Sequence, residues 1–177
     1  MDSRRKILAL GGARSGKSGF AERLARQSGL ARIYVATGQA WDAEMAERIA
    51  RHREDRGDGW ETVEAPLAVA EVIAREAAPE RVVLVDCLTL WLSNLMADGD
   101  DPDPQVRRLC AVLGAQQSPV VLVTNELGLG IVPENALARR FRDEHGWMNQ
   151  AVAGVADEVW MAVSGLPLRL KPQRGTS

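Results

Sequence analysis

The chain has 177 residues, of which 46% are hydrophobic and 26% are charged, and its formal net charge is −2 at pH 7. This length and hydrophobic share suit one domain of ordinary size with a substantial core. Lysine and arginine are scattered among acidic residues, so the composition argues against a nucleic-acid-binding surface. No window of about 18 uncharged apolar residues exists, which argues against a membrane-spanning helix.

The N-terminus and the cysteines indicate where the protein works. The basic start at Arg4 to Lys6 is followed by an apolar stretch that is too short and too polar for a signal peptide. The two cysteines, Cys87 and Cys110, sit in apolar company, and we expect buried free thiols in a reducing compartment. We therefore expect a cytoplasmic protein.

Short apolar segments predict strands, and helical patterns lie between them. The five predicted strands are Lys6–Leu10, Arg32–Ala36, Val82–Asp86, Val120–Thr124 and Glu158–Val163. The predicted helices are Lys17–Gln27, Asp42–Glu54, Leu67–Ala77, Leu88–Met96, Val106–Leu113 and Glu134–Val155. Several strands are continuous β-branched or leucine runs, which is typical of strands covered on both faces. The alternation indicates an α/β fold with a mainly parallel sheet flanked by helices.

The remaining segments suggest a single domain over residues 1–177. A last short segment, Leu166–Lys171, could add an edge strand, and Gly146 is expected to interrupt the last helix. Ala97–Gln105, rich in Asp and Pro, predicts a mobile surface connection. We expect the tail Pro172–Ser177 to be disordered.

One loop carries the strongest motif in the chain. It consists of Gly11, Gly12, Ala13, Arg14, Ser15, Gly16, Lys17 and Ser18, and it matches G-x-x-x-x-G-K-[ST] in full. It follows a predicted strand and precedes a predicted helix, as a phosphate-binding loop does. Its backbone N–H groups and the helix N-terminus would hold phosphate oxygens, Lys17 would lie near the β- and γ-phosphates, and Ser18 would bind Mg²⁺. The motif predicts a P-loop NTPase-like fold that binds a nucleoside triphosphate with Mg²⁺.

A phosphate loop is usually accompanied by an acidic residue at the end of a neighbouring strand, where it lies near the metal ion. Asp86 ends the apolar run Val82–Asp86, at the strand end that faces the ligand crevice of such folds. This position makes Asp86 a candidate metal ligand. It could instead cap the helix that starts at Cys87, and both roles can hold together.

Histidine occurs at positions 52 and 145. His52 borders an apolar stripe marked by Met45 and Ile49, in a segment rich in arginine. A neutral imidazole is a competent nucleophile, and the arginines could hold phosphates against it. The local pattern alone favours a surface or packing residue for His52, and it favours this more strongly for His145.

Several segments resemble one known family, the bifunctional adenosylcobinamide kinase / adenosylcobinamide-phosphate guanylyltransferase of cobalamin biosynthesis. The matching segments are Gly11–Ser18, Tyr34–Thr37, Asp42–Met45, Arg48–Ile49, His52–Arg53, Trp60–Glu64, Asp86–Thr89, Thr124–Pro133, Asn149–Gln150 and Ala156–Trp160. They cover nearly the whole chain in order. The segments around His52 and Thr124–Pro133 are far more particular than the phosphate loop, which many families share.

The resemblance implies two reactions and a role for His52. A nucleoside triphosphate, ATP or GTP, would phosphorylate the aminopropanol hydroxyl of adenosylcobinamide. GTP would then give GMP to that phosphate through a covalent guanylyl-histidine, and His52 stands at the matching position. Some members carry a second histidine just before it, where this chain has Arg51. The alternative reading is a P-loop small-molecule kinase without guanylyl transfer, or a nucleotide-gated binding module.

The resemblance also implies nucleotide contacts beyond the loop. The family places them at Ala36, Thr37, Gly38, Arg53, Glu54, Asp55, Arg56, Glu64 and Asp86. Glu64 would accept from guanine or ribose, or it is a solvated carboxylate at a strand end. Asn125 and Glu126 would contact substrate or, equally, form a turn with Gly128 and Gly130. The family further implies a homo-oligomer, with a trimer as the expected form.

Overall fold

A computed structural model describes residues 5–40 and 42–172, except for the side chains of residues 48 and 55. The strands are β1 (Lys6–Gly11), β2 (Ala31–Ala36), β3 (Trp60–Glu64), β4 (Arg81–Asp86), β5 (Val120–Asn125), β6 (Glu158–Val163) and β7 (Leu166–Lys171). The helices are α1 (Lys17–Gln27), α2 (Ala43–Arg56), α3 (Val69–Glu76), α4 (Leu88–Asp98), α5 (Pro102–Ala115) and α6 (Ala136–Val155). The predicted disorder of the tail falls, apart from Pro172, on residues outside this description.

The described strands form one sheet in the order β3-β2-β4-β5-β1-β6-β7. Neighbouring strands are parallel, except that β7 runs antiparallel to β6. The mainly parallel sheet flanked by helices is thus confirmed, and the segment Leu166–Lys171 does add an edge strand. Because β5 lies between β4 and β1 and is parallel to both, the carboxyl ends of β4, β5 and β1 lie side by side.

Each face of the sheet buries a separate set of apolar residues. On one face, α1 packs against the alternate strand residues Val82, Leu84, Val121 and Val123. On the other face, α3, α4, α5 and α6 cover residues such as Leu122. Continuous apolar runs in the central strands follow from this double cover, because successive side chains of a strand enter opposite faces.

One strand was missed by the sequence patterns. Trp60–Glu64 forms β3 at the edge of the sheet, paired in parallel with β2. Its residues are exposed or half-buried. An edge strand with so little burial carries no continuous apolar run, and tertiary pairing rather than pattern makes it a strand.

The predicted break at Gly146 is wrong, because α6 runs without interruption from Ala136 to Val155. Gly146 is flanked by His145, Met148 and Asn149, which are all buried. Glycine costs about 1 kcal/mol relative to alanine inside a helix. Burial of the side chains on both sides outweighs this cost.

The predicted surface connection Ala97–Gln105 is wrong over most of its length, because only Gly99–Asp101 lie between two helices. Helix α4 extends to Asp98, and Gly99 ends it in the left-handed conformation at φ 86°. Helix α5 starts at Pro102, and the Asp101 side chain accepts a hydrogen bond from the backbone of Asp103. The Asp and Pro residues read as loop formers are therefore a helix cap and a first helical turn.

Two further expectations concern burial. Cys87 and Cys110 are both free thiols; Cys87 is buried as expected, whereas Cys110 is half-buried and lines a surface cavity between α5 and α6. Burial raises the pKa of the Cys87 thiol to about 11.

Within residues 5–40 and 42–172, none of the helices combines the length and apolarity needed to cross a lipid bilayer.

Strand β5 is expected to be among the positions where loss of side-chain volume destabilises the fold most. Leu122 in β5 is fully buried, so Leu122→Ala should lower the free energy of unfolding by about 2–5 kcal/mol through lost burial and an unfilled cavity. Leu137→Ala in α6 is the matched control, because Leu137 is 65% exposed, and it should change stability by less than about 0.5 kcal/mol. Urea denaturation followed by circular dichroism measures both. Equal losses in the two variants would contradict the assigned core.

Candidate nucleotide-binding site

The phosphate loop connects β1 to α1 at the carboxyl edge of the sheet. Gly16 is the N-cap of α1 at φ 90°, and no side chain caps the helix. The first backbone N–H groups of α1 are therefore left for an external acceptor, and the positive end of the helix favours an anion there. The Lys17 ammonium reaches back to donate to the Gly12 carbonyl at 3.3 Å.

The turn between β6 and β7 supports the loop from outside. The backbone N–H of Gly165 donates to the Ser15 carbonyl at 2.9 Å. A Cβ placed on Gly16 would lie 3.1 Å from the Gly165 Cα, so glycine is needed at 16 both for its φ and for this approach. The Ser15 hydroxyl is buried and has no hydrogen-bond partner among the described residues. The loop thus presents polar groups that the described part of the protein does not satisfy.

Asp86 meets the loop at the end of β4. The side chains of Ser18 and Tyr34 lie beside its carboxylate. Burial raises the pKa of Asp86 above its usual range, and the Ser18 hydroxyl and the charges of His52 and Lys17 partly oppose this shift. The N-cap of α4 is Cys87, and no side chain caps the helix, so the alternative role of Asp86 as a helix cap is wrong.

The oxygen pair of Ser18 and Asp86 fits Mg²⁺. This ion prefers hard oxygen ligands, and it keeps several waters while it binds one or two protein oxygens together with substrate phosphates. No group of three or more His, Cys, Asp or Glu side chains able to hold a metal occurs in the described ranges. The two oxygen donors of Ser18 and Asp86 match the small number of protein ligands that a nucleotide-bound magnesium ion takes.

His52 lies on α2, and its side chain is exposed. Its charge lowers the pKa of two carboxyl groups near the phosphate loop, Asp86 and Glu22, in opposition to the larger effect of burial. Both carboxyl groups lie on the α1 side of the sheet end. The imidazole is therefore within electrostatic reach of Asp86 and Glu22.

Arg56 anchors the C-terminal end of α2. Its guanidinium stacks 3.5 Å from the centre of the Tyr34 ring and donates to the Thr62 hydroxyl at 3.2 Å. Arg26 donates to the Arg56 carbonyl at 2.5 Å. Arg56 is only 4% exposed, and its Nε has no partner among the described residues. Such a buried cation, stacked on an aromatic ring, fixes the end of the helix that carries His52.

The other predicted contact residues lie at neighbouring strand ends or on α2. The parallel register aligns Glu64, Ala36 and Asp86 across the ends of β3, β2 and β4. Glu64 is exposed there, and Ala36 and Gly38 are half-buried. On α2, Arg53 and Glu54 are exposed, whereas the Asp55 side chain lies outside the described part of the structure.

The Thr37 side chain forms hydrogen bonds with the backbone of Cys87, which the sequence did not indicate. It is fully buried, and its hydroxyl accepts from the Cys87 backbone N–H at 2.9 Å and donates to the Cys87 carbonyl at 2.8 Å. Asn94 donates to the Thr37 carbonyl at 2.8 Å. A nucleotide contact at this position would therefore use the backbone N–H.

Asn125 and Glu126 separate into two roles at the end of β5. The Glu126 carboxylate accepts from the Gly128 backbone N–H at 2.7 Å, so Glu126 forms the turn. Asn125 pairs with Gly11 in the register of β5 and β1, and the Glu126 N–H donates to the Gly11 carbonyl at 3.0 Å. Asn125 thus sits beside the first residue of the phosphate loop.

Behind Asn125 lies a buried polar network that the sequence analysis missed. His145 Nε2 is 3.0 Å from the Thr89 hydroxyl and 3.3 Å from the Thr124 hydroxyl. Asn149, one turn along α6 from His145, accepts from the Thr124 hydroxyl at 2.8 Å. Burial lowers the pKa of His145 to about 4, with an opposing effect from the Glu126 charge. The i, i+4 spacing of His145 and Asn149 was the available signal, since it places both on one face of a helix.

Glu22 is the second missed residue. It lies on α1 one turn after Ser18, and this i, i+4 spacing could have placed it on the same face. Burial raises its pKa and the Asp86 charge adds to this, while Arg26, Arg56 and His52 oppose it. Glu22 therefore belongs to the charged cluster between α1, α2 and the end of β4.

A phosphate loop at a helix N-terminus, an aspartate at the neighbouring strand end and a mainly parallel sheet together define a protein with a P-loop NTPase-like fold. The solved structure of the RadB recombinase has this fold in common, with a TM-score of 0.55 over 90% of this chain and 74% of that one, at 13% identity. Residues 7–170 match the family model "Cobinamide kinase / cobinamide phosphate guanyltransferase", and the chain belongs to that family.

Two curated relatives show how far the likeness extends. The bifunctional adenosylcobalamin biosynthesis protein CobP of Pseudomonas aeruginosa is 52% identical over 167 residues, which cover 93% of this chain and 96% of that protein. The bifunctional adenosylcobalamin biosynthesis protein CobU of Escherichia coli K12 is 44% identical over 180 residues, with coverage of 93% and 99%. The resemblance inferred from the motifs is confirmed.

The His145 network predicts a pH dependence of stability. Below about pH 6.5 the unfolded chain protonates this imidazole, but the folded protein does so only near pH 4. The contribution of His145 is therefore complete above pH 6.5 and is lost as the pH falls toward 4, by at most about 1.4 kcal/mol per pH unit. Urea titrations across this range should show a shallower loss for His145→Gln than for the wild type. Parallel curves would contradict the assignment.

Proposed function

We propose that the chain phosphorylates adenosylcobinamide on its aminopropanol hydroxyl and then transfers GMP from GTP, by way of a guanylyl-histidine at His52, to give adenosylcobinamide-GDP. The observation that carries this proposal is the exposed His52 imidazole, whose charge reaches Asp86 beside the phosphate loop. The proposed substrate is inferred from the description of the family to which the chain belongs. The names of the two relatives agree with a bifunctional enzyme of adenosylcobalamin biosynthesis.

The kinase reaction uses the loop and its neighbours. The aminopropanol hydroxyl oxygen bonds to the γ-phosphorus of a nucleoside triphosphate, the bond to the β,γ-bridging oxygen breaks, and the hydroxyl proton is released to solvent. The nucleoside diphosphate leaves with its new negative charge opposed by Lys17 and by the N–H groups at the start of α1. Phosphoryl transfer depends mainly on positioning and charge neutralisation, which is what these groups provide.

The guanylyl transfer uses His52. An imidazole nitrogen bonds to the α-phosphorus of GTP, the α,β-anhydride bond breaks, and pyrophosphate leaves. A phosphate oxygen of adenosylcobinamide phosphate then bonds to the same phosphorus, and the P–N bond breaks to return the imidazole. A covalent intermediate splits one difficult displacement into two easier ones.

The exposure of His52 suits this sequence of events. The nucleophile must meet GTP first and a corrinoid phosphate second, so it must be open to two partners in turn. His52 is exposed to solvent, and the buried Arg56 anchors the end of its helix. Both partners can therefore reach the imidazole while the helix keeps it in place.

Magnesium fits the oxygen pair of Ser18 and Asp86. The ion would supply neutralisation of phosphate charge in both reactions. The Ser18 hydroxyl and the Asp86 carboxylate lie close enough for the hydroxyl to lower the pKa of the carboxyl group.

The further contacts and the assembly belong to the same proposal. Further residues contact the nucleotide, and Glu64 accepts a hydrogen bond from guanine or ribose. These residues are Ala36, Thr37, Gly38, Arg53, Glu54, Asp55, Arg56 and Glu64.

The protein acts in the cytoplasm as a homo-oligomer, with a trimer expected. An exposed apolar row on β7, formed by Leu166, Leu168 and Leu170, supports burial against another subunit. Light scattering after gel filtration measures the assembly.

Covalent labelling is expected to separate guanylyl transfer from plain kinase activity. With Mg²⁺ and GTP labelled at the α-phosphate, the protein should retain label that is lost in acid and kept in base, as a phosphorus–nitrogen bond requires. GTP labelled at the γ-phosphate should leave no covalent label. Denaturing electrophoresis with autoradiography measures both.

His52→Ala should abolish the α-label, and Arg51→Ala, an exposed neighbour on the same helix, should retain it. Retention of the label in His52→Ala would refute the guanylyl-histidine. Phosphorylation of cobinamide without any α-label would establish the plain kinase instead.

Removal of the Lys17 ammonium is expected to slow γ-phosphoryl transfer, because this cation stabilises the transition state. Lys17→Ala should lower kcat for γ-phosphoryl transfer about a hundredfold or more, because the charge acts where negative charge develops. Arg23→Ala removes an exposed cation of the same helix outside the loop and should leave kcat within about twofold. Steady-state kinetics with adenosylcobinamide test the pair. A similar loss in both variants would mean that net charge, not position, matters.

A further inference from the structure

The end of β5 lies between the two parts of the nucleotide site. The sheet order places β5 between β4, which ends at Asp86, and β1, which leads into the phosphate loop. In the register, Asn125 faces Gly11. The Gly12 carbonyl that holds Lys17 is one residue further along. Asn125 is therefore at the centre of the crevice floor.

The strand alternation decides which way Asn125 faces. Val121 and Val123 pack on the α1 face of the sheet, and side chains alternate along a strand. Asn125 therefore projects toward α1 and the loop. Thr124 faces the opposite way and bonds with His145 and Asn149 of α6.

The amide of Asn125 makes no hydrogen bond to the described residues. Its Oδ1 is buried and accepts from none of them, and its Nδ2 donates to none of them. A buried polar atom left unpaired costs about 1–3 kcal/mol. Such a group beside a phosphate loop is readily explained if its partners belong to the substrates.

The backbone of Asn125, in contrast, is held on both sides. Its N–H donates to the Thr89 hydroxyl at 2.9 Å, and its carbonyl accepts from Asn149 Nδ2 at 2.9 Å. His145 links the hydroxyls of Thr89 and Thr124. Helices α4 and α6 thus clamp a single residue whose side chain points into the crevice.

The geometry points to Asn125 as a further catalytic residue: its Nδ2 donates to the γ-phosphoryl group of the bound triphosphate, its Oδ1 accepts from the attacking hydroxyl, and Thr89 and Asn149 are its positioning residues. One side chain then aligns donor and acceptor of the phosphoryl group. An amide serves both ends at once because it carries a donor and an acceptor. The hydroxyl contact rests on the proposed function, whereas the phosphate contact does not.

Affinity for paired nucleotide analogues tests the phosphate contact without turnover. The α,β-methylene analogues of GTP and GDP differ by the γ-phosphate alone and resist attack at the α-phosphorus. Calorimetry with Mg²⁺ should show about a tenfold loss of affinity for the triphosphate analogue in Asn125→Ala, as expected for a hydrogen bond to a charged group. The diphosphate analogue should bind within about twofold of wild type. Asn125→Asp should lose more than Asn125→Ala, because a carboxylate repels the phosphate.

The positioning residues are tested by the same affinity ratio, which loss of stability alone does not change. Asn149→Ala and Thr89→Val should weaken the triphosphate analogue selectively, and Thr89→Ser, which keeps the hydroxyl, should restore wild-type binding. Gln150→Ala is the matched control, since it removes an exposed amide next to Asn149 on α6. It should bind both analogues as wild type does.

The kinase assay then tests the hydroxyl contact. Asn125→Ala should lower kcat for adenosylcobinamide phosphorylation at saturating nucleotide, in addition to its effect on affinity. Unchanged binding of the triphosphate analogue, or equal losses for both analogues, would overturn the role of Asn125. A wild-type protein that binds the analogues as expected but phosphorylates no cobinamide would overturn the proposed function and leave the phosphate contact established.

Discussion

The parallel register of β4, β5 and β1 is the constraint on which the site depends. Parallel strands bring their carboxyl ends to one edge of the sheet, and here three adjacent ends supply Asp86, Asn125 and Gly11. Each of these residues leads directly into a helix, a turn or the phosphate loop. The crevice floor is thus formed by main-chain pairing, and long side chains add to it from above.

The two faces of the sheet contribute differently to the site. The α1 face carries the charged groups, with Lys17, Asp86 and Glu22 in one cluster and His52 within electrostatic reach. The opposite face contributes a neutral, buried network around His145 that holds the backbone. A charged site in contact with substrate benefits from such support, because a rigid scaffold holds its polar groups ready for the transition state.

Helix α2 combines exposure with anchorage, and this combination suits the nucleophilic role proposed for His52. Arg56 fixes its last turn on Tyr34, while His52, one turn earlier, remains open to solvent. In the proposed mechanism, phosphoryl transfer at the loop and guanylyl transfer at the imidazole use nucleotides held against the same sheet edge. The edge of the sheet at β3 lies beside this helix and adds Glu64 in line with Ala36.

The sequence by itself determined the strand runs, the phosphate loop, Asp86 as its partner and the family, because these are local patterns of burial and contiguous motifs. It did not determine β3, the unbroken α6 through Gly146 or the cap at Asp101, since tertiary packing overrides weak local preference. Only the tertiary structure separated Asn125 from Glu126 and joined His145 to Thr89. Those relations depend on strand register and on helices distant in sequence, and no local pattern encodes such distances.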